Sequence, residues 1–401
     1  MKRMQRWIAA MLAGSMIGFG IPCAGAEENA SGTEADAGRA TAGWTVEERG
    51  LTLGESAVAY PVITGFAEED FEKAVNERIL ADTGIPEYLT RLSQLISGGR
   101  LRVSWRGGLP GEDVFSCAVS AEGAVRTPRS DFVWTWSNLD LRTGEEIPWE
   151  ALFTDVDAAS AELEAWLEET VAPELSAYLL SGNVTPLPEG FWLTRRGIVL
   201  LYSREQWNTL SDRAGDLLIS WNEIQQVLDL SEDGVPARVG AAEMLVLTDE
   251  SLPRLQAMTA EGAIPDLPVR LGDSLAEAVD AWHLLIDPDV YEGGRMFSLE
   301  GALFRNVFLL TDYLSEDWEN SRVDGIRMDS GCLYGLRIGQ TQAWEWHQTL
   351  GEPDAAVDFD EARAEAWRTV PGSRDYYAWG DHTLQLHADE DGVLVSIILT
   401  E

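Results

Sequence analysis

One short pattern occurs twice in the last third of the chain, and it constrains the fold more than any other feature. The segment 269–274 (VRLGDS) returns 67 residues later as 336–341 (LRIGQT), with the same order of apolar, basic, glycine, polar and hydroxyl residues. Amphipathic helical spacing follows both copies, so the hydroxyls of Ser274 and Thr341 are predicted to cap two helices. The chain is therefore predicted to contain two copies of one structural unit.

Strand patterns follow each of these predicted helices. In the first copy Glu277 stands three residues after Ser274, which is the spacing of a capping box, and in the second copy Gly351 and Pro353 end the helix. Strands are predicted at 296–304, 307–310 and 323–328 in the first copy, and at 376–379, 383–387 and 393–399 in the second. Each unit is thus predicted to be a helical segment packed on an antiparallel sheet.

The chain from Trp44 to about residue 230 alternates strand and helix signals. Residues 101–105 and 132–136 keep the period of two that is typical of strands, whereas 157–175 carries apolar residues at helical spacing. A mixed domain of helices and antiparallel sheet is therefore predicted, and the fold class is α+β. Loop signals from Ser231 onwards mark its end. The predicted divisions are 44–232 for this domain, 233–265 for a connecting segment, and 266–334 and 335–401 for the two repeats.

The first 26 residues have the organisation of a secretory signal peptide. Basic residues precede an apolar run, and small residues lead to a cleavage position near Ala26. The run of about 16 apolar residues is shorter than the roughly 20 that a membrane-spanning helix needs, and Pro22 before Cys23 disfavours lipid attachment. Residues 27–43 lack aromatic and large aliphatic side chains, so a disordered leader is predicted there. We expect the mature protein to be secreted, without a membrane anchor.

The chain is strongly acidic, with a formal net charge of -39 at pH 7. Removal of residues 1–26 takes three of the 29 basic residues and none of the 68 acidic ones, so the mature chain carries -42. Such a field repels nucleic acids and anionic lipid headgroups and attracts cationic partners, over a Debye length of about 8 Å. The acidic runs at 287–289 and 389–392 do not continue into a calcium-loop pattern, so both are predicted to be turns.

An inventory of reactive residues predicts a protein that is not an enzyme. The four histidines do not have the i, i+4 helical spacing of a metal hydrolase, and the mature chain has no Gly-x-Ser-x-Gly elbow and no phosphate-binding loop. No metal site and no cofactor are predicted. Cys117 and Cys332 are far apart in the chain, and no disulfide is expected between them. A glycosidase-type carboxylate pair stays open, because 68 acidic residues offer many pairs.

The tryptophans are predicted to lie mainly in the core. Trp134 and Trp136 share one strand face and are assigned to the core. Trp344 and Trp346 stand two residues apart on one predicted helix, about 200° around its axis, so both cannot face the same core. If Trp346 packs inward, Trp344 either packs against the other repeat or stays exposed as a ligand contact. Trp344 is the candidate binding residue of this chain.

The second repeat resembles the small helix-plus-sheet repeats of β-lactamase inhibitory proteins and of outer-membrane assembly lipoproteins. The resemblance rests on a Gly-x-Thr... Val... Leu-Gly-x-Pro signature, to which this chain's Gly339, Thr341, Trp346, Leu350-Gly351 and Pro353 are similar. This chain has one extra residue between Gly339 and Leu350, and the first repeat lacks the Leu-Gly-x-Pro ending. The resemblance implies the fold of the repeats, and it does not imply inhibition of a particular enzyme.

The N-terminal half is similar to the ectodomain of RsiV-type anti-sigma factors. The residues that carry this similarity are Tyr60-Pro61, Ile63, Gly65-Phe66, Val75-Asn76, Ile79, the segment 139–144 (LDLRTG), Trp149, Leu152-Phe153, the segment 200–202 (LLY) and Gly215. Proteins of that family are extracytoplasmic and some bind lysozyme, and related domains precede polysaccharide deacetylase domains. The sigma-binding segment and transmembrane helix of an anti-sigma factor are not present in this sequence.

Two hypotheses about function follow. The first is a secreted, non-enzymatic binding or inhibitor-type protein whose partner is a cationic protein such as lysozyme. The alternative is an enzyme, or the accessory domain of an enzyme, that acts on cell-wall glycan.

Overall fold

The computed structural model describes residues 43–95, 99–124, 131–171, 188–202, 215–285, 288–312 and 320–401. The predicted signal peptide at 1–26 and nearly all of the predicted leader at 27–43 lie outside these residues, as does Asp287. Helices and mostly antiparallel sheets make up the described chain, which confirms the predicted α+β class.

A six-stranded sheet forms the first part of the fold, with its strands in chain order. They are β1 (Thr45–Leu53), β2 (Ser56–Thr64), β3 (Arg100–Gly111), β4 (Val114–Ala124), β5 (Asp131–Asp140) and β6 (Glu145–Glu146). Helices α1 (Glu69–Asp82) and α2 (Ile85–Ser93) cover one face and bury Val75, Ile79, Ile85 and Leu92 against it. The strands predicted at 101–105 and 132–136 are therefore confirmed.

One strand of this sheet contains a proline in its interior. Pro61 lies inside β2, opposite Glu48 of β1. A proline is tolerated there because β2 pairs with β3 only at Ala57 and Val58, so no second ladder requires an N–H from residue 61. The helix predicted at 157–175 is confirmed as far as residue 171: α3 (Val156–Trp166) continues as a π-helical stretch at Leu167–Val171, and 172–175 lie outside the described residues.

A small three-stranded sheet fills the middle of the molecule. Its strands are β7 (Gly190–Leu193), β8 (Gly197–Leu201) and β9 (Asp216–Ser220), and every residue of all three is buried. Trp192, Val199 and Leu218 pack against Trp134 of the six-stranded sheet. Trp134 is buried, as predicted, whereas Trp136 is half-buried and packs against the same cluster.

Short helices occupy the predicted connecting segment at 233–265. They are α4 (Val235–Arg238), α5 (Ala241–Leu245) and α6 (Ser251–Glu261). Arg238 donates to the carboxylates of Asp113 and Asp140 at 3.0 and 2.9 Å, which ties α4 to the six-stranded sheet. Within the described residues, no helix is both long and apolar enough to span a membrane.

Both repeat segments contribute to one antiparallel sheet of eight strands. The first contributes β10 (Asp289–Tyr291), β11 (Gly294–Ser298), β12 (Val307–Asp312) and β13 (Gly325–Met328), and the second β16 (Ala355–Phe359), β17 (Gly372–Trp379), β18 (His382–Asp389) and β19 (Leu394–Thr400). The order β10-β11-β12-β13-β19-β18-β17-β16 places the last strand of each set at the centre.

The predicted strand at 296–304 is shorter than expected, because Ala302–Phe304 form a 3-10 turn. A short hairpin, β14 (Cys332–Leu333) and β15 (Leu336–Arg337), joins the two sets.

The repeated pattern occupies like positions in the two copies. Gly272 and Gly339 are both left-handed, with φ of 83° and 80°, and each precedes a helix, α7 (Leu275–Trp282) or α8 (Ala343–Leu350). Ser274 caps α7 through a bond from the Glu277 N–H, as predicted. The predicted cap at Thr341 is wrong, because α8 begins one residue later and Gln342 forms a capping box with Glu345. The hydroxyl of Thr341 instead accepts the Arg337 N–H at 2.8 Å.

The connection between β16 and β17 contacts both edge strands of the large sheet. It carries α9 (Glu361–Ala366), whose last carbonyl accepts the Glu292 N–H at 2.9 Å, beside β10. Trp367 contacts Phe359 of β16 and Tyr291 of β10, with ring centroids 6.2 and 5.5 Å apart. Because β10 and β16 are the two edge strands, the sheet is curled, and this connection closes the gap between its edges.

One continuous core runs through the parts of the fold. It includes Val114 of β4, Trp221 after β9, Leu255 of α6 and Leu399 of β19. Cys117 and Cys332 are both buried free thiols.

Candidate functional site

The second repeat helix, α8, displays the candidate binding residue at the surface. Trp346 is fully buried, whereas 59% of the Trp344 surface is exposed. The two side chains point to opposite sides of α8, as the two-residue spacing predicts. Packing of Trp344 against the other repeat, the first of the two expectations for this residue, is wrong. Among the described residues, the exposed large apolar side chains include one aromatic, and it is Trp344.

An acidic turn lies against the start of α8. The Ala343 N–H donates to the Gly392 carbonyl at 2.8 Å, which holds the 389–392 turn beside the residue that precedes Trp344. Asp389 Oδ1 accepts the N–H groups of Asp391 and Val393 at 3.0 and 2.9 Å, so its carboxylate shapes the turn, as predicted. Glu390 and Asp391 at its tip are exposed. The surface near Trp344 therefore carries negative charge.

The other end of α8 is acidic as well. Glu352 and Asp354 follow the helix and are exposed. Asp354 accepts the Ala378 N–H at 2.8 Å, and the Tyr377 hydroxyl donates to the Gly351 carbonyl at 3.1 Å. These bonds fix the C-terminal end of α8 on β17. We call Trp344, α8 and the acidic residues at its two ends the α8 surface.

A buried carboxylate sets the rotation of α8. One oxygen of Asp375, on β17, accepts the Trp346 Nε1–H at 2.9 Å and lies 2.7 Å from His347 Nε2. Because Trp346 and His347 are adjacent on the helix, these two contacts fix which side of α8 faces the sheet. Trp344 is directed outward as a result. His347 stands three residues from Trp344, so the two side chains share one side of the helix.

Asp375 is a residue of this surface that the sequence patterns did not predict. Its position in the strand indicates that it points inward, because Asp375 shares a face with Tyr377 and lies opposite Leu386. Both of these neighbours are buried, and an acidic residue at such an inward position needs a hydrogen-bonding partner.

Two histidines of β18 are held by backbone carbonyls. His382 Nδ1 lies 2.9 Å from Thr259 O, and His387 Nε2 lies 2.8 Å from Val370 O. Burial, reinforced by the charges of Arg374 and Arg327, lowers the pKa of His387 to about 4. Within the described residues, no group of three or more histidine, cysteine or acidic side chains is arranged to hold a metal ion.

Comparison with known proteins gives matches to solved structures alone. No protein-family model matches the chain, and no curated protein does. A DUF3298 family protein from Bacteroides fragilis superposes on 49% of this chain and 97% of its own, with 10% sequence identity and a TM-score of 0.36. A DUF3298 family protein from Pseudomonas aeruginosa covers 46% of this chain and 93% of its own, with 13% identity and a TM-score of 0.33. A DUF4309 family protein from Bacillus subtilis covers 38% and 97%, with 11% identity and a TM-score of 0.26.

Proposed function

We propose that this chain is a secreted, non-enzymatic binding protein whose partner is a basic protein, and that the α8 surface takes part in the contact. The observation that carries the proposal is the exposed indole of Trp344 between acidic residues at both ends of α8. Binding energy in protein interfaces is concentrated in a few large side chains, and tryptophan is prominent among them. Carboxylates around such an anchor favour a cationic partner and speed its approach.

The rigidity of the α8 surface supports the same role. The Gln342–Glu345 capping box fixes the start of α8, and Asp375 fixes its rotation. An anchor that is held in place before binding loses less conformational entropy in the complex than a mobile one. A net charge of -39 for the whole chain adds a long-range attraction for basic proteins.

Lysozyme is the first partner to test, because the N-terminal half resembles domains of which some bind lysozyme. Titration calorimetry of the mature chain with lysozyme at about 50 and 300 mM salt separates specific binding from charge attraction. We expect affinity to fall only partly at the higher salt, because a specific interface has an apolar centre as well as a charged border. No binding at the higher salt, or equal binding to any basic protein, would reduce the interaction to charge attraction.

A pair of variants locates the contact. Trp344→Ala removes the exposed anchor, and we expect a loss of affinity of at least about tenfold, as for other interface tryptophans. Leu53→Ala is the control, because Leu53 is similarly exposed, at 55%, on β1 of the six-stranded sheet. If Leu53→Ala weakens binding and Trp344→Ala does not, the contact lies on the six-stranded sheet and the α8 surface is excluded.

A further inference from the structure

The inner face of the curled eight-stranded sheet carries a row of side chains that is separate from the α8 surface. Arg327 of β13 lies opposite Ile398 of β19, Ile398 lies opposite Gln385 of β18, and Gln385 lies opposite Tyr376 of β17. Residues that lie directly opposite in antiparallel strands share a face. Arg374, two residues before Tyr376, is therefore on this face as well. We call these five residues the inner row.

The two arginines of the inner row differ in how their charge is balanced. Arg327 Nε donates to Asp329 at 2.7 Å, and its two terminal nitrogens donate to the carbonyls of Trp367 and Arg368 at 3.3 and 2.8 Å. The guanidinium of Arg327 thus has a carboxylate and two helix-end carbonyls as acceptors. It anchors the connection that closes the sheet.

Arg374 has no comparable acceptor. Only 2% of its surface is exposed, and its guanidinium lies over the rings of Phe359 and Trp367, with centroid distances of 4.5 and 5.5 Å. Its bond to Gln385 Oε1 is long, at 3.4 Å, and Tyr376 is its other hydrogen-bonding neighbour. Among the described residues, Arg374 forms no ion pair, and its Nε has no hydrogen-bond partner.

A buried guanidinium without a carboxylate is unfavourable, even with aromatic rings beside it. Burial lowers the pKa of Arg374 for this reason. The chain has more than twice as many acidic as basic residues, yet the hydrogen-bonding neighbours of this charge are a neutral amide and a phenol hydroxyl. An oxyanion at the place of Gln385 Oε1 would supply the missing negative charge.

The surroundings of Gln385 allow such a replacement. Gln385 and Tyr376 are both half-buried, so they border the surface of the curled sheet, whereas Ile398 is buried beneath them. The side-chain amide of Gln385 is held by a bond from its Nε2 to Thr400 Oγ1, at 2.9 Å.

We propose that the inner row is a binding site for a small aromatic carboxylate, whose carboxylate displaces the Gln385 side chain and pairs with Arg374. The ring of the ligand packs against Tyr376, which lies directly opposite Gln385. This site is independent of the proposed binding of a basic protein, because it lies on the sheet face turned away from α8.

The test uses the mature protein, with benzoate as the ligand and benzamide as the uncharged compound of the same shape. Titration calorimetry in 150 mM sodium chloride is expected to show saturable binding of benzoate and at least tenfold weaker binding of benzamide. Equal binding of the two compounds would show that the carboxylate is not recognised, and no binding of benzoate would overturn the proposal.

Two substitutions make the test specific to Arg374. In Gln385→Glu the protein supplies its own carboxylate, so the melting temperature is expected to rise without ligand and benzoate affinity to fall at least tenfold. Gln385→Ala removes the competing amide and is expected to keep or increase benzoate affinity. The proposal is wrong if Gln385→Glu binds benzoate as tightly as the unmodified protein. Both changes leave Arg374 in place, so neither depends on whether the fold tolerates its loss.

Discussion

At the scale of single residues, buried polar side chains position the surface features of this protein. Asp375 accepts hydrogen bonds from a buried indole and contacts a half-exposed imidazole through the same oxygen. Without that oxygen, the Trp346 Nε1–H would be buried without an acceptor. An unsatisfied buried donor costs about 1–3 kcal/mol, which is large beside the total stability of a folded domain.

We expect Asp375→Ala to lower the free energy of unfolding by about 2–3 kcal/mol, because it leaves the buried Trp346 Nε1–H without an acceptor and removes the contact of His347. Asp375→Asn keeps an acceptor for the indole and should cost roughly half as much. Urea denaturation followed by tryptophan fluorescence measures both. A cost below about 0.5 kcal/mol for the alanine variant would mean that Asp375 does not anchor α8.

His387 makes stability depend on pH. Its pKa is lowered from 6.5 to about 4 by burial and by the neighbouring charges of Arg374 and Arg327. The unfolded chain therefore binds a proton at a higher pH than the folded chain does. The contribution of neutral His387 to stability is complete above pH 6.5 and is lost progressively as the pH falls from 6.5 through 4.

We expect His387→Gln to remove about 2–3 kcal/mol of the stability that the protein loses between pH 7 and pH 4. Glutamine can still donate to the Val370 carbonyl but does not titrate in this range. Urea denaturation of both proteins at several pH values gives the difference. Parallel stability curves for the two proteins would show that His387 does not cause the loss.

At the scale of elements, left-handed glycines mark the corners that lead into the repeat helices. Gly272 and Gly339 have nearly equal φ values, and neither has a neighbouring atom closer than 4.0 Å to the place of a Cβ. Gly335, in the turn between β14 and β15, is different. A Cβ there would lie 2.2 Å from the backbone nitrogen of Leu247. Gly272 and Gly339 are needed only for the left-handed backbone conformation, whereas Gly335 is also needed because a side chain there would meet the backbone of Leu247.

We expect Gly339→Ala to cost about 1–2 kcal/mol, which is the strain of placing an alanine in the left-handed region. Gly335→Ala should cost at least about 3 kcal/mol, because the backbone of the neighbouring segment must also move. Thermal denaturation of the two variants compares them directly. Equal costs would indicate that the turn at Gly335 shifts without resistance.

At the scale of the whole molecule, the core is shared between the parts that the sequence divides. Val114, Trp221 and Leu399 belong to one cluster of buried residues. Arg238 adds a polar connection, since it pairs with Asp113 and Asp140. Although burial opposes it, hydrogen bonds from Arg142 and Arg238 lower the pKa of Asp140 to about 2.

We expect the mature protein to unfold in a single cooperative transition. Calorimetry, fluorescence and circular dichroism should give one melting temperature, and Arg238→Met should lower it in all three measurements. A chain whose N-terminal domain unfolds separately from the repeats would give two transitions, and Arg238→Met would then move one of them alone.

Local patterns in the sequence predicted the class of the fold and several of its corners. Alternation of apolar residues located strands in both halves, and the repeated glycine and hydroxyl pattern located both helix starts to within one residue. These features depend on neighbouring residues, so they can be derived from spacing. Pro61 is tolerated inside β2 because of where a distant strand pairs, which spacing along the chain does not show. Thr341 was misassigned because the adjacent Gln342 and Glu345 also have capping-box spacing.

The sequence by itself determined the charge, the expected export, the opposite directions of Trp344 and Trp346, and the two related units. Only the tertiary structure decided that Trp344 is exposed, that Asp375 fixes its helix, and that Arg374 lies buried beside a neutral amide. Each of these depends on contacts between different strands and helices. Hydrogen bonds and burial join residues of different elements, whereas periodicity and spacing in a sequence report only on residues that are close along the chain.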